Sequence, residues 1–178
     1  MRDHLVLVGM MGAGKSTVAR MVAARLGWPH TDIDDMVERA AALSVAEIFA
    51  TQGEASFRAA ESAALVSALS AGEPSVVSVG GGAVLDPANR ALMRRTGTVV
   101  WLRARPATLA RRVGRAVDRP LLAADPDGPA AALTRLEVER RPLYEEVATA
   151  VVDVDDTAAE DVADAVLGAL GTSTEGRP

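Results

Sequence analysis

Apolar residues fall along this chain in two rhythms. Four short runs, LVLV (5–8), VVSV (76–79), TVVWL (98–102) and AVVDV (150–154), read as strands, and three of them are apolar enough to be covered on both faces. A fifth short strand is expected near 29–32. Between the runs, polar positions recur at helical spacing. One helix runs from Lys15 to Leu26 and stops at Gly27; another spans 86–95, opening on Asp-Pro and stopping at Gly97; a third starts at Pro106 and reaches about 114. Ser44 and Glu47 have the capping-box spacing, which predicts a short helix through Ala50 ahead of Gly53, and the alanine-rich stretch 54–70 reads as helix again. The stretch DRPLLAADPDGP (118–129) has three prolines and reads as a loop or lid. Strands alternating with helices predict right-handed βαβ units, hence a parallel sheet with helices on both faces and ligands at the carboxyl ends of the strands.

Composition narrows the class. At 178 residues, 49% hydrophobic and a formal charge of −5, the chain makes one α/β domain over 1–171, with 172–178 expected as a disordered tail. Cysteine is absent, which excludes thiolate catalysis and thiolate zinc sites and suits a cytoplasmic setting. The acidic balance and the five aromatic residues argue against a nucleic-acid surface, and no apolar run approaches bilayer length. A monomer acting on a small molecule, with neither nucleic acid nor membrane as partner, is the expectation. Eighteen of the nineteen basic residues are arginine, so the single lysine, Lys15, stands out.

That lysine lies in GMMGAGKST, Gly9 to Thr17, which fits G-x-x-x-x-G-K-[ST] directly after the first strand. Glycines at such a turn let backbone N–H groups close around a phosphate, and the helix that follows presents its positive end. Gly12, Ala13, Gly14, Lys15, Ser16 and Thr17 are therefore expected around the phosphates of a nucleoside triphosphate, with Lys15 on the β/γ oxygens and the Ser16 hydroxyl on Mg²⁺. A GTPase switch would carry a second lysine to read its base, and none exists. A small-molecule kinase is the leading class, and a nucleotide-sensing module without activity is the alternative.

The acceptor side is written more faintly. Asp32 and Asp34 are two apart, so at a strand end both carboxylates would face one way, one toward Mg²⁺ and one toward an acceptor hydroxyl. Arg58 and Glu61 are three apart on one helical face; a surface ion pair is the plain account. Arg140 precedes Pro142, which reads as the start of a new helix and puts Arg140 at an element boundary. Two arginines converging would select an acidic substrate. The run VVSVGGGAVL ends a strand in Gly80, Gly81 and Gly82, so something must approach that backbone closely.

GMMGAGKST, DID (32–34), FATQGEASFRAAE (49–61), SVGGGAV, RPLL (119–122) and RRPLY (140–144) occur in an order and spacing that resemble the shikimate kinases over about 5–170. The resemblance implies a P-loop fold of the nucleoside-monophosphate-kinase kind, a five-stranded parallel sheet with a substrate-binding section at about 33–61 and a lid at about 113–128. It implies transfer of a phosphoryl group from ATP to the 3-hydroxyl of shikimate. By position it implies Lys15, Asp34 and Arg119 as catalytic, with Arg119 on the lid at the phosphates and Arg112 beside adenine. Arg58 and Arg140 would hold the substrate carboxylate, Glu61 would orient Arg58, Phe49 and Phe57 would wall the pocket, and Gly81, in the run Gly80, Gly81, Gly82, would donate backbone hydrogen bonds to the ring substituents. Ser16 and Asp32 would form the Mg²⁺ side. The loop VDVDDTAAED departs from the pattern, lacking the basic residue and proline that some members place beside adenine. Kinases of gluconate or of a nucleoside monophosphate are the rival readings within this fold.

Overall fold

The computed structural model describes residues 4–113, 122 and 125–175, with side chains described as far as Gly171. Its order is β1 (His4–Val8), α1 (Lys15–Leu26), β2 (His30–Asp32), α2 (Ile33–Ala41), α3 (Val45–Leu69), β3 (Val76–Ser78), a 3₁₀ turn (Ala83–Leu85), α4 (Pro87–Thr96), β4 (Gly97–Arg103), α5 (Pro106–Val113), α6 (Pro129–Val147), β5 (Ala150–Asp153) and α7 (Ala159–Glu175). The five expected strands form one parallel sheet in the order β2-β3-β1-β4-β5. β1 lies at its centre and is buried along its whole length, as its unbroken apolar run requires.

Helices cover both faces and bury a main core that includes Leu5, Leu7, Leu65, Val100, Leu102 and Leu133. Each such side chain, removed from water, contributes about 1.5–3 kcal/mol before the entropy of ordering is subtracted. Val37, Ile48 and Phe57 form a second, smaller apolar cluster beneath α2 and α3, with Phe49 packed against it.

α3 starts on the predicted capping box: the Ser44 side chain accepts from the Glu47 N–H, and the Glu47 carboxylate accepts from the Ser44 N–H at 2.7 Å. Gly53, at φ 82° and ψ 168°, kinks it in a conformation that only glycine adopts readily. Three expectations are corrected. Asp32 does end β2, but it also caps the helix over residues 33–41, so Asp34 lies in a first helical turn and not at the strand end. Pro142 lies inside α6 and starts no new helix: the buried stripe Leu133, Glu137, Arg140, Tyr144, Val147 continues across it at spacings of 4, 3, 4 and 3, while Pro142 itself faces solvent. The last helix extends through Glu175, into the expected tail. Of the expected lid, residues 114–121, 123 and 124 lie outside the described residues, and so does Arg119.

Candidate active site

The carboxyl ends of β1, β2 and β3 open on one cleft of about 810 Å³. After β1 the chain turns through the glycine-rich loop into α1, with Gly14 as N-cap at φ 89°, a left-handed conformation that a side chain would strain. The Lys15 ammonium donates to the carbonyls of Gly9 at 2.8 Å and Met10 at 3.0 Å, which holds it across the loop. Gly12, Gly14, Lys15, Ser16 and Thr17 line the cleft. Ala13 does not; its methyl is packed into the main core.

Asp32 links three elements. One carboxylate oxygen accepts from the Asp34 N–H at 3.1 Å as the cap of α2, and the other accepts from the hydroxyls of Ser16 at 2.6 Å and Ser78 at 2.7 Å. Ser78 sits opposite Asp32 in the β2–β3 register. Burial pushes the Asp32 carboxyl up, but the bonds from Ser16, Ser78 and the Asp34 N–H outweigh it and hold the group below its ordinary value. The carboxylate is therefore ionised at neutral pH. His30 lies 3.0 Å from the Ser78 oxygen; since the Ser78 proton goes to Asp32, the imidazole is the donor there. Burial pulls the His30 imidazole down, against the pull of Asp32, which favours the neutral ring. Ser78 and His30 were not singled out from the sequence; the polar residue inside VVSV was the available signal.

Asp32 and Asp34 do reach one cleft, through a cap and a first helical turn and not through strand alternation. Asp34 and Glu61 both face the Gly80 backbone. A Cβ built on Gly80 would lie 2.9 Å from the Asp34 Oδ1 and 2.3 Å from the Glu61 Oε1. Glu61 is 1% exposed, so its bond to the Arg58 Nη1 at 2.8 Å is no surface pair. Burial raises the Glu61 carboxyl; Arg58 opposes that and Asp34 adds to it. Glu54 takes the other side of Arg58, at 3.0 Å from Nη2. Burial pulls the Arg58 guanidinium down, but Glu61 and Glu54 together hold it above its ordinary value, so it stays a cation.

Arg140 is 2% exposed, and its Nε has no hydrogen-bond partner among the described residues. Its Nη1 lies 3.6 Å from where a Gly81 Cβ would be, and the Arg58 guanidinium lies 2.4 Å from where a Gly82 Cβ would be. Both cations thus border adjacent glycines of one wall. Phe49 and Phe57, with ring centroids 5.0 Å apart, line the same side. At the far edge Arg112 donates to the Val154 carbonyl at 2.7 Å, tying α5 to the loop after β5. In that loop Asp155 accepts from the Arg105 N–H at 3.1 Å, and Asp156 pairs with Arg105 at 3.1 Å and Arg111 at 3.3 Å.

A parallel sheet with β1 at its centre, a phosphate loop feeding α1 and an acceptor pocket across the same cleft define a P-loop kinase of a small molecule, built on the nucleoside-monophosphate-kinase-like fold. The family model for shikimate kinase matches residues 11–171. A shikimate kinase of Symbiobacterium thermophilum is 43% identical over 168 residues, spanning 94% of this chain and 95% of its own. One of Caldanaerobacter subterraneus is 41% identical over 166 residues, spanning 93% and 95%. The solved structure of the shikimate kinase from Acinetobacter baumannii in complex with shikimate matches with a TM-score of 0.91 at 35% identity, covering 98% of this chain and 96% of that one. The chain belongs to the shikimate kinase family and is an ATP-dependent kinase.

Proposed function

We propose that the chain transfers the γ-phosphoryl group of ATP to the 3-hydroxyl of shikimate, releasing shikimate 3-phosphate and ADP. The observation that carries this reading is Arg140, a cation buried beside the glycine wall with a donor still unsatisfied and Arg58 facing the neighbouring glycine. A buried guanidinium is tolerated where an anion completes its bonds. Two guanidinium groups at one wall suit a carboxylate, and the aromatic pair beside them suits an apolar ring face.

In the proposed mechanism the backbone N–H groups of the phosphate loop and Lys15 hold the β- and γ-phosphates. Asp34 accepts a hydrogen bond from the acceptor hydroxyl and aligns its oxygen for in-line attack, with the proton passing to the carboxylate as the new O–P bond forms. Ser16 and the ionised Asp32 offer oxygen donors only, the hard set that Mg²⁺ prefers, so the residues fit that cation. When bound it would neutralise charge on the phosphate oxygens.

Release of ADP, measured with shikimate, gluconate, AMP and no acceptor, tests the reading. Stimulation by shikimate alone is expected; stimulation by another acceptor, or an unstimulated rate with all four, refutes it.

A further inference from the structure

We infer that Tyr144 is a positioning residue for the acceptor, acting through the peptide between Gly81 and Gly82. Its hydroxyl donates to the Gly81 carbonyl at 2.6 Å. Gly81 and Gly82 line the cleft, whereas Tyr144 is 1% exposed and stands behind them. The Gly81 carbonyl therefore points out of the cleft, into the protein. The described peptide bonds are all trans, so C=O and N–H of one peptide point in opposite directions. Fixing the carbonyl backward aims the Gly82 N–H forward into the cleft, where a substrate oxygen can accept it.

A peptide flanked by glycines needs such a constraint. Gly82 is at φ −99° and Gly81 has no side chain to hinder rotation, so this wall could turn over with little steric resistance. The Tyr144 ring is fixed in turn: it stacks on Trp101 of β4, with centroids 5.5 Å apart and planes 22° from parallel. Arg140 lies four residues earlier on the same buried face of α6, so one helix carries both a proposed carboxylate anchor and the hydroxyl that sets the wall. Burial drives the Tyr144 phenol well above its ordinary value, against the pull of Arg140, which keeps the hydroxyl protonated as a donor.

This role rests on shikimate being the acceptor. Tyr144→Phe keeps the stacked ring and deletes the donor. The expected result is a roughly ten-fold rise in shikimate KM, the equivalent of one buried hydrogen bond at about 1.4 kcal/mol, with ATP KM within two-fold of the wild type. Trp101→Phe keeps an aromatic ring against Tyr144 and leaves the hydroxyl; it should lower Tm with a smaller rise in shikimate KM than Tyr144→Phe. An unchanged shikimate KM in Tyr144→Phe, an equal rise in both KM values, or an equal effect from Trp101→Phe would each overturn the inference. A wild-type enzyme that shikimate does not stimulate refutes the acceptor instead. Tyr144 is the only tyrosine in the chain, so 3-fluorotyrosine labels this site alone and keeps the hydroxyl. If Tyr144→Phe does not fold, the ¹⁹F resonance decides: it should shift on adding shikimate and move much less with ADP, and the reverse order would overturn the role.

Discussion

Replacing Gly82 by alanine tests the acceptor wall more sharply than replacing either neighbour. Gly82 is at φ −99° and ψ −9°, which alanine adopts without strain, so the consequence is purely steric. The added methyl carbon would lie 2.4 Å from three atoms of the Arg58 guanidinium, against an ordinary contact of at least 3.4 Å, so the guanidinium has to retreat by about 1 Å. It cannot do so and keep its bonds to Glu61 at 2.8 Å and Glu54 at 3.0 Å. Because a long side chain can swing away, the fold should survive. A charge-assisted hydrogen bond to the substrate would not, and its loss, about 1.5–3 kcal/mol, corresponds to a rise in shikimate KM of roughly 10- to 150-fold. Gly81→Ala meets nothing nearer than 3.3 Å and should change shikimate KM by only a few-fold. Gly80→Ala drives a methyl against the buried Glu61 carboxylate and to 2.9 Å from the Asp34 Oδ1, and should lower both Tm and kcat. Steady-state kinetics with each substrate varied in turn, together with thermal melting, separates the three variants. An effect of Gly81→Ala on shikimate KM equal to that of Gly82→Ala would refute the reasoning.

Two further outcomes follow from the same geometry. Arg58→Ala or Arg140→Ala should raise shikimate KM at least ten-fold while ATP KM stays within about two-fold; equal losses for both substrates would assign the arginines to the fold or to the nucleotide. Glu61 has a folded pKa above its unfolded value, so the native state binds the extra proton and stability falls as pH rises through the window from about 4.3, the ordinary glutamate value, toward the folded one. Glu61→Gln removes that titration. The Tm of the wild type minus that of Glu61→Gln should therefore decrease from pH 4 to pH 7, and a difference that grows with pH would contradict the burial argument.

Much of this was legible in the chain. Apolar runs marked β1, β3, β4 and β5 because a sheet covered by helices has few polar positions to hide, whereas β2, His30–Asp32, carries no apolar residue. Gly27 and the Ser44–Glu47 pair marked helix ends because their conformations and bonds are local. What the sequence hid depended on distant neighbours. The residues from Asp32 onward fit a strand end or a helix cap equally well until Ser16 and Ser78 settle on the carboxylate. Pro142 reads as a helix start; inside α6 it gives up an N–H bond and crowds the Val138 carbonyl, a cost of about 3 kcal/mol, but the buried stripe carries the helix through. The triple glycine announced a close approach without saying by what. Part of the answer is the protein itself, since Asp34, Glu61 and Arg58 already occupy the room that side chains at Gly80 and Gly82 would need.

The small apolar cluster of Val37, Ile48 and Phe57 has a consequence for how such an enzyme can change. It carries the aromatic side of the acceptor pocket, Phe49 and Phe57, while the glycine wall between Val79 and Ala83 and the phosphate loop lean on the larger core around β1. A substitution that reshapes the first need not disturb the second. Preference for one acceptor over another can thus drift, or be engineered, at a place where mistakes leave the machinery for ATP intact.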